Sequence, residues 1–557
     1  MKKFTPWLVG FLFCLLLFLK TDPGASSVEK RIYSHYATSV VEDLDFNVVN
    51  QIPIKEAWLL TPTLNYPDMH SNGVSVLWAP FFYVAKAASS AVIERPKLYR
   101  LAQSLAGVFW ALLSLPVLWL ILRSFYSEKI SWATLGITLI CTPFFWFTLF
   151  QPENADTSAL FLSSCLVYMY IRRNEQSAMQ FSFFWGMALF FSFAVKIDTI
   201  FIGILFLHFL LEKARVGFRP LLSSLFTFAV GALPVFFCVL INESLKYGYT
   251  NYGYLDTVTS EIYVLIENMF GPTGYFKTHP YYLLIILGFL ALAWKKQVKS
   301  EFWFFLAIPL TELALESFNY NYNEAYGPRH WLNDTPFFAL LTGFVLNALP
   351  VKKLHRDFFV FCLFSAFVSL YAATVYKLRF DLYYSGNWIQ GLRDISLSQY
   401  SFWTELPWLS LKINFLYELL LLAGLCTLFC FLLLKYKKLP IFLYFFVFAS
   451  LAYATLSGLN YQNNALSATQ IPSVTAQAVI GKGLHIQSFF ENAGCLQRAE
   501  FYYNLMGDKT RAADRRRILE DYVKKAALEI ISDPVGFRNT LVPGRATYVP
   551  AELWNDE

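Results

Sequence analysis

The chain has 557 residues, of which 56% are hydrophobic, 19% aromatic and only 15% charged, and its formal net charge is +6. A soluble domain carries about 25% charged residues, so this composition argues against a soluble globular protein. The small positive balance reads as basic loops beside a membrane and not as a nucleic-acid footprint. Eight cysteines without a CxxC or a paired framework give no sign of a disulfide scaffold or a structural zinc site.

A spanning helix needs about 20 mostly apolar residues. In chain order, apolar runs of suitable length lie near 5–20, 100–125, 130–150, 157–172, 180–196, 197–213, 220–242, 280–295, 301–318, 335–351, 357–376, 414–434 and 439–457. The expected fold is an all-α polytopic bundle of about thirteen transmembrane helices (residues 1–457), followed by a small, mostly helical soluble domain (458–557). The first run is read as an uncleaved anchor, because Lys20 and Asp22 make a poor cleavage site. The run 180–213 is divided by Lys196 and Asp198, which suggest a break between two short spans. The run 73–92 is read as an interfacial or re-entrant segment, because a full span there would invert every later loop.

Sidedness follows from the loops. "RSFYSEK", "RRNEQ", "EKARVGFR", "KKQVK", "KKLHR" and "KYKK" fall on alternate connections and share one side with Lys2 and Lys3. Short loops rich in Lys and Arg mark the cytosolic side. The longer polar segments, 21–99, 151–156, 243–279, 319–334, 377–413 and the tail, then face outward. The expected location is a multi-pass inner membrane of a bacterium, with the working face in the periplasm.

Four outward segments carry unusual chemistry. The first, "VEKRIYSHYATSVVEDLDF", holds Glu29, Tyr33, His35, Tyr36, Asp43 and Asp45. The second, "QPENAD", holds Glu153 and Asp156; the third is Lys196 with Asp198; the fourth, "NYNEAYGPRHWLND", holds Glu324, Tyr326, Arg329 and His330. Cations suit a phosphate, with Arg donating in pairs and Lys acting as a point charge. A carboxylate suits removal of a proton from an attacking hydroxyl. A divalent metal held by Glu153, Asp156 and Glu324 is a further option that no spacing signature specifies. "NES" at 242 and "NDT" at 333 match the N-glycosylation pattern, which is common by chance.

In order and placement these segments resemble the integral-membrane GT-C glycosyltransferases, which include protein O-mannosyltransferases and lipid A aminoarabinose transferases. "EKRIY" stands where that family carries D-E-x-x-Y, and "SVVEDLDF" stands at its acidic helix end. "HSNGVSVLWAPFFYVAKA" resembles the family's "LLxAPF"-like helix, and "QPENADTSALFL" its second acidic motif. "FFSFAVKID" resembles the basic end of span five, "NMFGPTGYFKTHPYYLLIILGFL" the loop before a span, and "NEAYGPRHWL" the "GxRxxL" element. The resemblance implies an inverting transfer from a polyprenyl-phosphate sugar donor to a lipid, glycan or protein acceptor. It implies a base in the first loop, with Lys196 and Arg329 on the donor phosphate. It also puts Tyr33, His35, Tyr36, Glu153, Asp156, Glu324, Tyr326 and His330 around the substrates. The family's Asp is Glu29 here. The longer side chain moves the carboxylate by about an ångström, a displacement that can cost roughly 10²-fold in rate. The base is therefore Glu29 in a site tuned to it, or Asp22, Asp43 or Asp45, or the activity is lost. A transporter or lipid-linked-sugar flippase and an inactive scaffold are the rival functions.

Overall fold

The computed structural model describes residues 28–46, 48, 72–89, 95–149, 151–247, 262–271, 274–294, 298–316, 329–349, 352–378 and 440–469, with isolated positions between 513 and 520. All regular structure among them is helical. The helices are α1 (Val28–Glu42), α2 (Val74–Ala88), α3 (Arg95–Arg123), α4 (Glu128–Cys141), α5 (Phe144–Leu149), α6 (Ala155–Ile171), α7 (Ala178–Val195) and α8 (Ile204–Val216). They continue with α9 (Phe218–Tyr247), α10 (Ile262–Phe270), α11 (Tyr275–Thr278), α12 (Pro280–Ala293), α13 (Ser300–Glu316), α14 (Thr335–Ala348), α15 (Lys352–Leu378) and α16 (Pro440–Thr469). Two units divide the chain: residues 1–34, 71–235 and 254–450 form the first, and 35–70, 236–253 and 451–557 the second.

In the first unit α6 is the hub. Every residue from Ala155 to Tyr170 is buried, and an all-round buried helix belongs in the core of a bundle. It packs on α3, α7 and α2. Trp110, Phe161 and Phe445 form an aromatic knot over its middle. Small hydroxyl residues fit this crowded helix because they bond their own backbone, as Ser164 does to the carbonyl of Leu160 at 2.8 Å. The next helix starts at Ser177, whose hydroxyl accepts from the Gln180 amide while the Gln180 side chain accepts from the Ser177 amide. This capping box satisfies two groups that would otherwise have no intrahelical partner.

Four described helices are long and apolar enough to cross a membrane: Leu98–Arg123, Ala178–Val195, Phe218–Glu243 and Phe442–Asn460. A fifth arises if the bent pair Asn268–Thr278 and Pro280–Ala293 forms one span. Their outer surfaces are greasy: Phe226, Val230 and Leu233 on α9 and Val360, Leu363, Phe364 and Phe367 on α15 stand exposed. Apolar patches of that kind need lipid or a partner to cover them. The chain is thus a helical, integral-membrane type of protein. The expected spans 5–20 and 414–434, and nearly all of 458–557, lie outside the described residues, while α16 runs past residue 457 to Thr469.

Two local readings can be compared directly. The break at Lys196 is present: α7 stops at Val195, a 3-10 segment covers Ile197–Gly203, and α8 begins at Ile204. The run 130–150, expected as one span, is instead α4 and the short α5, parted at Thr142–Pro143. Proline has no N–H to continue the ladder and pushes the residue before it out of helical geometry, and Thr142 is extended at φ −104°, ψ 169°.

The described residues of the basic loops lie toward one end of the first unit. Arg173 of "RRNEQ" forks onto Glu212 at 2.7 and 3.1 Å and reaches Glu301 at 2.9 Å. Burial opposes the Arg173 charge, but the two carboxylates outweigh it and raise its pKa above the ordinary arginine value. Lys299 lies over the ring of Phe125, Tyr126 donates to the Leu340 carbonyl at 2.6 Å, and His355 bonds the Leu346 carbonyl at 3.0 Å. Since α6 spans about 25 Å from Ala155 to Ile171 at 1.5 Å per residue, its first turn lies at the other end.

In the second unit the Asn242 amide donates to the Tyr453 hydroxyl at 3.1 Å and to Ser457 at 2.9 Å, and accepts from Asn460 at 3.2 Å. Asn460 in turn accepts from the Phe46 amide at 3.3 Å. The network ties α9 to α16 and consumes the Asn242 side chain, so the "NES" match is a buried structural amide.

Candidate active site

The opposite end of the first unit holds the charge. Chain reversal between α6 and α7 sets the first turn of one helix beside the last turn of the other. Asp156 lies in that first turn and Lys196 caps the last. Each charge suits its helix end, since N-termini favour anions and C-termini cations. The Lys196 ammonium donates to Asp156 Oδ1 and lies 3.1 Å from Asp198 Oδ2. Arg329 Nε stands 3.8 Å from Asp156 Oδ2. Arg329 is the most accessible of the four, its side chain 18% exposed against 4% for Asp156. Two residues after Arg329, the Trp331 indole donates to the Pro309 carbonyl and packs against Tyr275, Tyr282 and Phe338.

Two cations and two carboxylates make a neutral cluster. Buried charges persist when they are paired, because an isolated one costs several kcal/mol to desolvate. The ammonium occupies the place between Asp156 and Asp198 that a cation would take. Among the described residues no group of three or more His, Cys, Asp or Glu side chains converges as a metal site, and Glu324 lies outside them.

Glu153 faces α3. Its Oε1 accepts from the Ser104 hydroxyl at 2.6 Å, and its carbonyl accepts from the Gln103 amide at 3.1 Å. A Cβ on Gly107 would come within 1.7 Å of the Pro152 carbonyl oxygen, so a bare glycine lets this turn rest on α3. Glu153 thereby anchors the loop that presents Asp156. A second close approach holds α2: the Gly73 amide donates to the Ala194 carbonyl at 2.9 Å, two residues before Lys196. Trp78 of α2 then donates to Ser158 of α6 at 3.1 Å.

Tyr33 packs edge-on against Trp78 with ring centroids 5.9 Å apart, which ties the start of α1 to the start of α6. Glu29 precedes Tyr33 by four positions in α1. His35, Tyr36, Asp43 and Asp45 belong to the second unit. There Asp45 accepts from the Ser39 hydroxyl at 2.5 Å, and Leu44 takes a left-handed φ of 59°. That combination terminates α1, because a left-handed residue ends a helix. His330 opens the short 3-10 segment that follows Arg329. Asp22 and Tyr326 fall outside the described residues, as Glu324 does.

The structure therefore brings together Asp156, Lys196 and Arg329, and adds Asp198, which the sequence had offered only as the neighbour of Lys196. Trp78 and Ser158, which join α1 and α2 to the cluster, carried no charge signal to mark them.

No family model and no curated protein matches the sequence. Among solved structures, the fold is similar to the crystal structure of ArnT from Cupriavidus metallidurans in the apo state, at a TM-score of 0.46 and 14% identity over 86% of this chain and 81% of that one. It is likewise similar to the same protein bound to undecaprenyl phosphate, at a TM-score of 0.43 and 14% identity over the same shares.

Proposed function

We propose that this chain is an inverting membrane glycosyltransferase that moves a sugar from a polyprenyl-phosphate donor to an acceptor on the outer face of the bilayer. The observation that carries this reading is the buried cluster of Asp156, Lys196, Asp198 and Arg329 at the end of the bundle away from the basic loops. A hydroxyl or amine of the acceptor attacks the anomeric carbon. The bond from that carbon to the phosphate oxygen breaks, and its electron pair leaves on the phosphate. Lys196 and Arg329 face the growing negative charge, the kind of preorganised stabilisation that supplies much of catalysis. Glu29 takes the acceptor proton; Asp22, Asp43 and Asp45 are the alternatives. Tyr33, with His35, Tyr36, Glu153, Asp156, Glu324, Tyr326 and His330, lines the substrates. The domain from 1 to 457 holds the site, and 458–557 forms a helical domain on the same outer face, periplasmic in a bacterial inner membrane.

The test is transfer of labelled sugar from a polyprenyl-phosphate donor in membranes. Glu29→Gln and Arg329→Ala are each expected to reduce transfer by about 100-fold or more, the order expected when a general base or one stabilising donor at the leaving charge is lost. Full transfer in both would sink the assignment.

A further inference from the structure

Two asparagines in the turns that carry Asp156 and Arg329 hold buried side-chain atoms without hydrogen-bond partners. Asn154 is the residue before α6, two positions from Asp156, and Asn333 follows Arg329 by four positions in the turn that leads into α14. The Arg329–Asp156 ion pair links the two turns, and hydrogen bonds from Leu332 N to Arg329 O and Asp334 N to Trp331 O fix the second. Both side chains are buried, Asn333 at 1% exposure and Asn154 at 4%. Yet Nδ2 and Oδ1 of Asn333 and Oδ1 of Asn154 have no hydrogen-bond partner in the structure. Asn154 does not even cap its own helix. Native proteins satisfy the great majority of buried polar atoms, and exceptions mark sites completed by a ligand or water.

The chemistry of the missing partners is specific. Two carbonyl oxygens call for donors, and one amide N–H pair calls for an acceptor. Phosphate oxygens only accept, so a phosphate would serve Asn333 Nδ2 and leave both carbonyls unmet. A sugar hydroxyl donates and accepts, so adjacent hydroxyls meet all three. We infer that Asn333 and Asn154 are specificity-determining residues that read hydroxyl groups of the donor's sugar, beside the cations that hold its phosphate. This inference rests on the proposed transferase reading and deepens it.

The full chain in lipid nanodiscs tests it by thermal shift, with undecaprenyl phosphate and undecaprenyl-phosphoryl hexose and pentose as probes. Wild type is expected to be stabilised by the bare lipid phosphate and stabilised further by at least one glycosylated form. Asn333→Leu is expected to keep the first shift and lose the increment, with about a tenfold weaker affinity for the glycosylated lipid. Its ligand-free melting temperature should be unchanged or higher, because an unpaired buried amide has been replaced by an apolar group of similar size. Asn154→Leu is expected to reduce the increment independently, which keeps the test open if one variant folds poorly. An undiminished increment in both variants overturns the inference, as does a wild type that responds equally to bare and glycosylated lipid. In either case the transferase reading stands. A wild type that responds to neither lipid overturns that reading, and the inference with it.

Discussion

Removing the Lys196 charge is the most informative single perturbation of the cluster. The ammonium serves Asp156 and Asp198, whose side chains are 4% and 8% exposed. At an N–O distance of 3.1 Å and an effective dielectric of about 20, one such attraction is about 5 kcal/mol before desolvation is subtracted. Breaking a buried pair by deleting one partner typically costs about 3–5 kcal/mol, because the remaining charge is left without compensation. Lys196→Met takes from Asp198 the cation that lies 3.1 Å away, while Asp156 retains Arg329 at 3.8 Å. The expected loss is about 3–4 kcal/mol. Adding Asp198→Asn removes one negative charge and restores neutrality, so the double variant should return to within about 1 kcal/mol of wild type. The implied coupling, about 3 kcal/mol, is at the upper end for residues in contact. Denaturant unfolding in nanodiscs, followed by tryptophan fluorescence, measures all four corners of the cycle. A cost below about 1 kcal/mol for Lys196→Met is what an exposed ion pair would give, and it would refute the buried geometry. Additive losses in the double variant would refute the pairing.

Three other outcomes follow from particular contacts. Gly107→Ala drives a methyl into the Pro152 carbonyl and should cost about 2–3 kcal/mol by overpacking; an unchanged melting temperature would show that the 151–156 turn does not rest on α3. In intact cells, a membrane-impermeant maleimide should label Lys86→Cys on α2, but label Lys299→Cys only after permeabilisation; the reverse pattern would invert the sidedness. In a eukaryotic expression host, Asn242→Gln should leave gel mobility unchanged, because the buried Asn242 amide is held by Tyr453 and Ser457; a mobility shift removed by glycosidase would contradict that burial.

Much of the arrangement is legible locally, because lipid imposes simple demands on each stretch of chain. Lys196 and Asp198 interrupt an apolar run, and an apolar run cannot carry them through lipid, so the helix ends there. Basic loops on alternate connections are an equally local signal, and the expected sidedness rests on them. Partnership is another matter. That Lys196 meets Asp156, 40 positions earlier, depends on how α6 and α7 pack side by side, which no window of sequence contains. Glu153 stands out in "QPENAD" only as a carboxylate; its bond from Ser104 on α3, 49 positions earlier, is not visible in the sequence. Asn333 carries no charge and sits in a motif that reads as a chance glycosylation match; only its burial without partners marks it. The division of 130–150 into two helices had a visible cause in Pro143, which the apolar count outweighed.

The central claim is that the chain breaks the bond between sugar and lipid phosphate. It is tested most directly with purified protein in proteoliposomes, supplied with labelled polyprenyl-phosphate sugar and an extract of candidate acceptors. The account predicts release of free polyprenyl phosphate together with labelled product, abolished by Arg329→Ala. Intact labelled donor recovered on the opposite leaflet, with no polyprenyl phosphate released, would contradict the account and make the protein a carrier of that lipid.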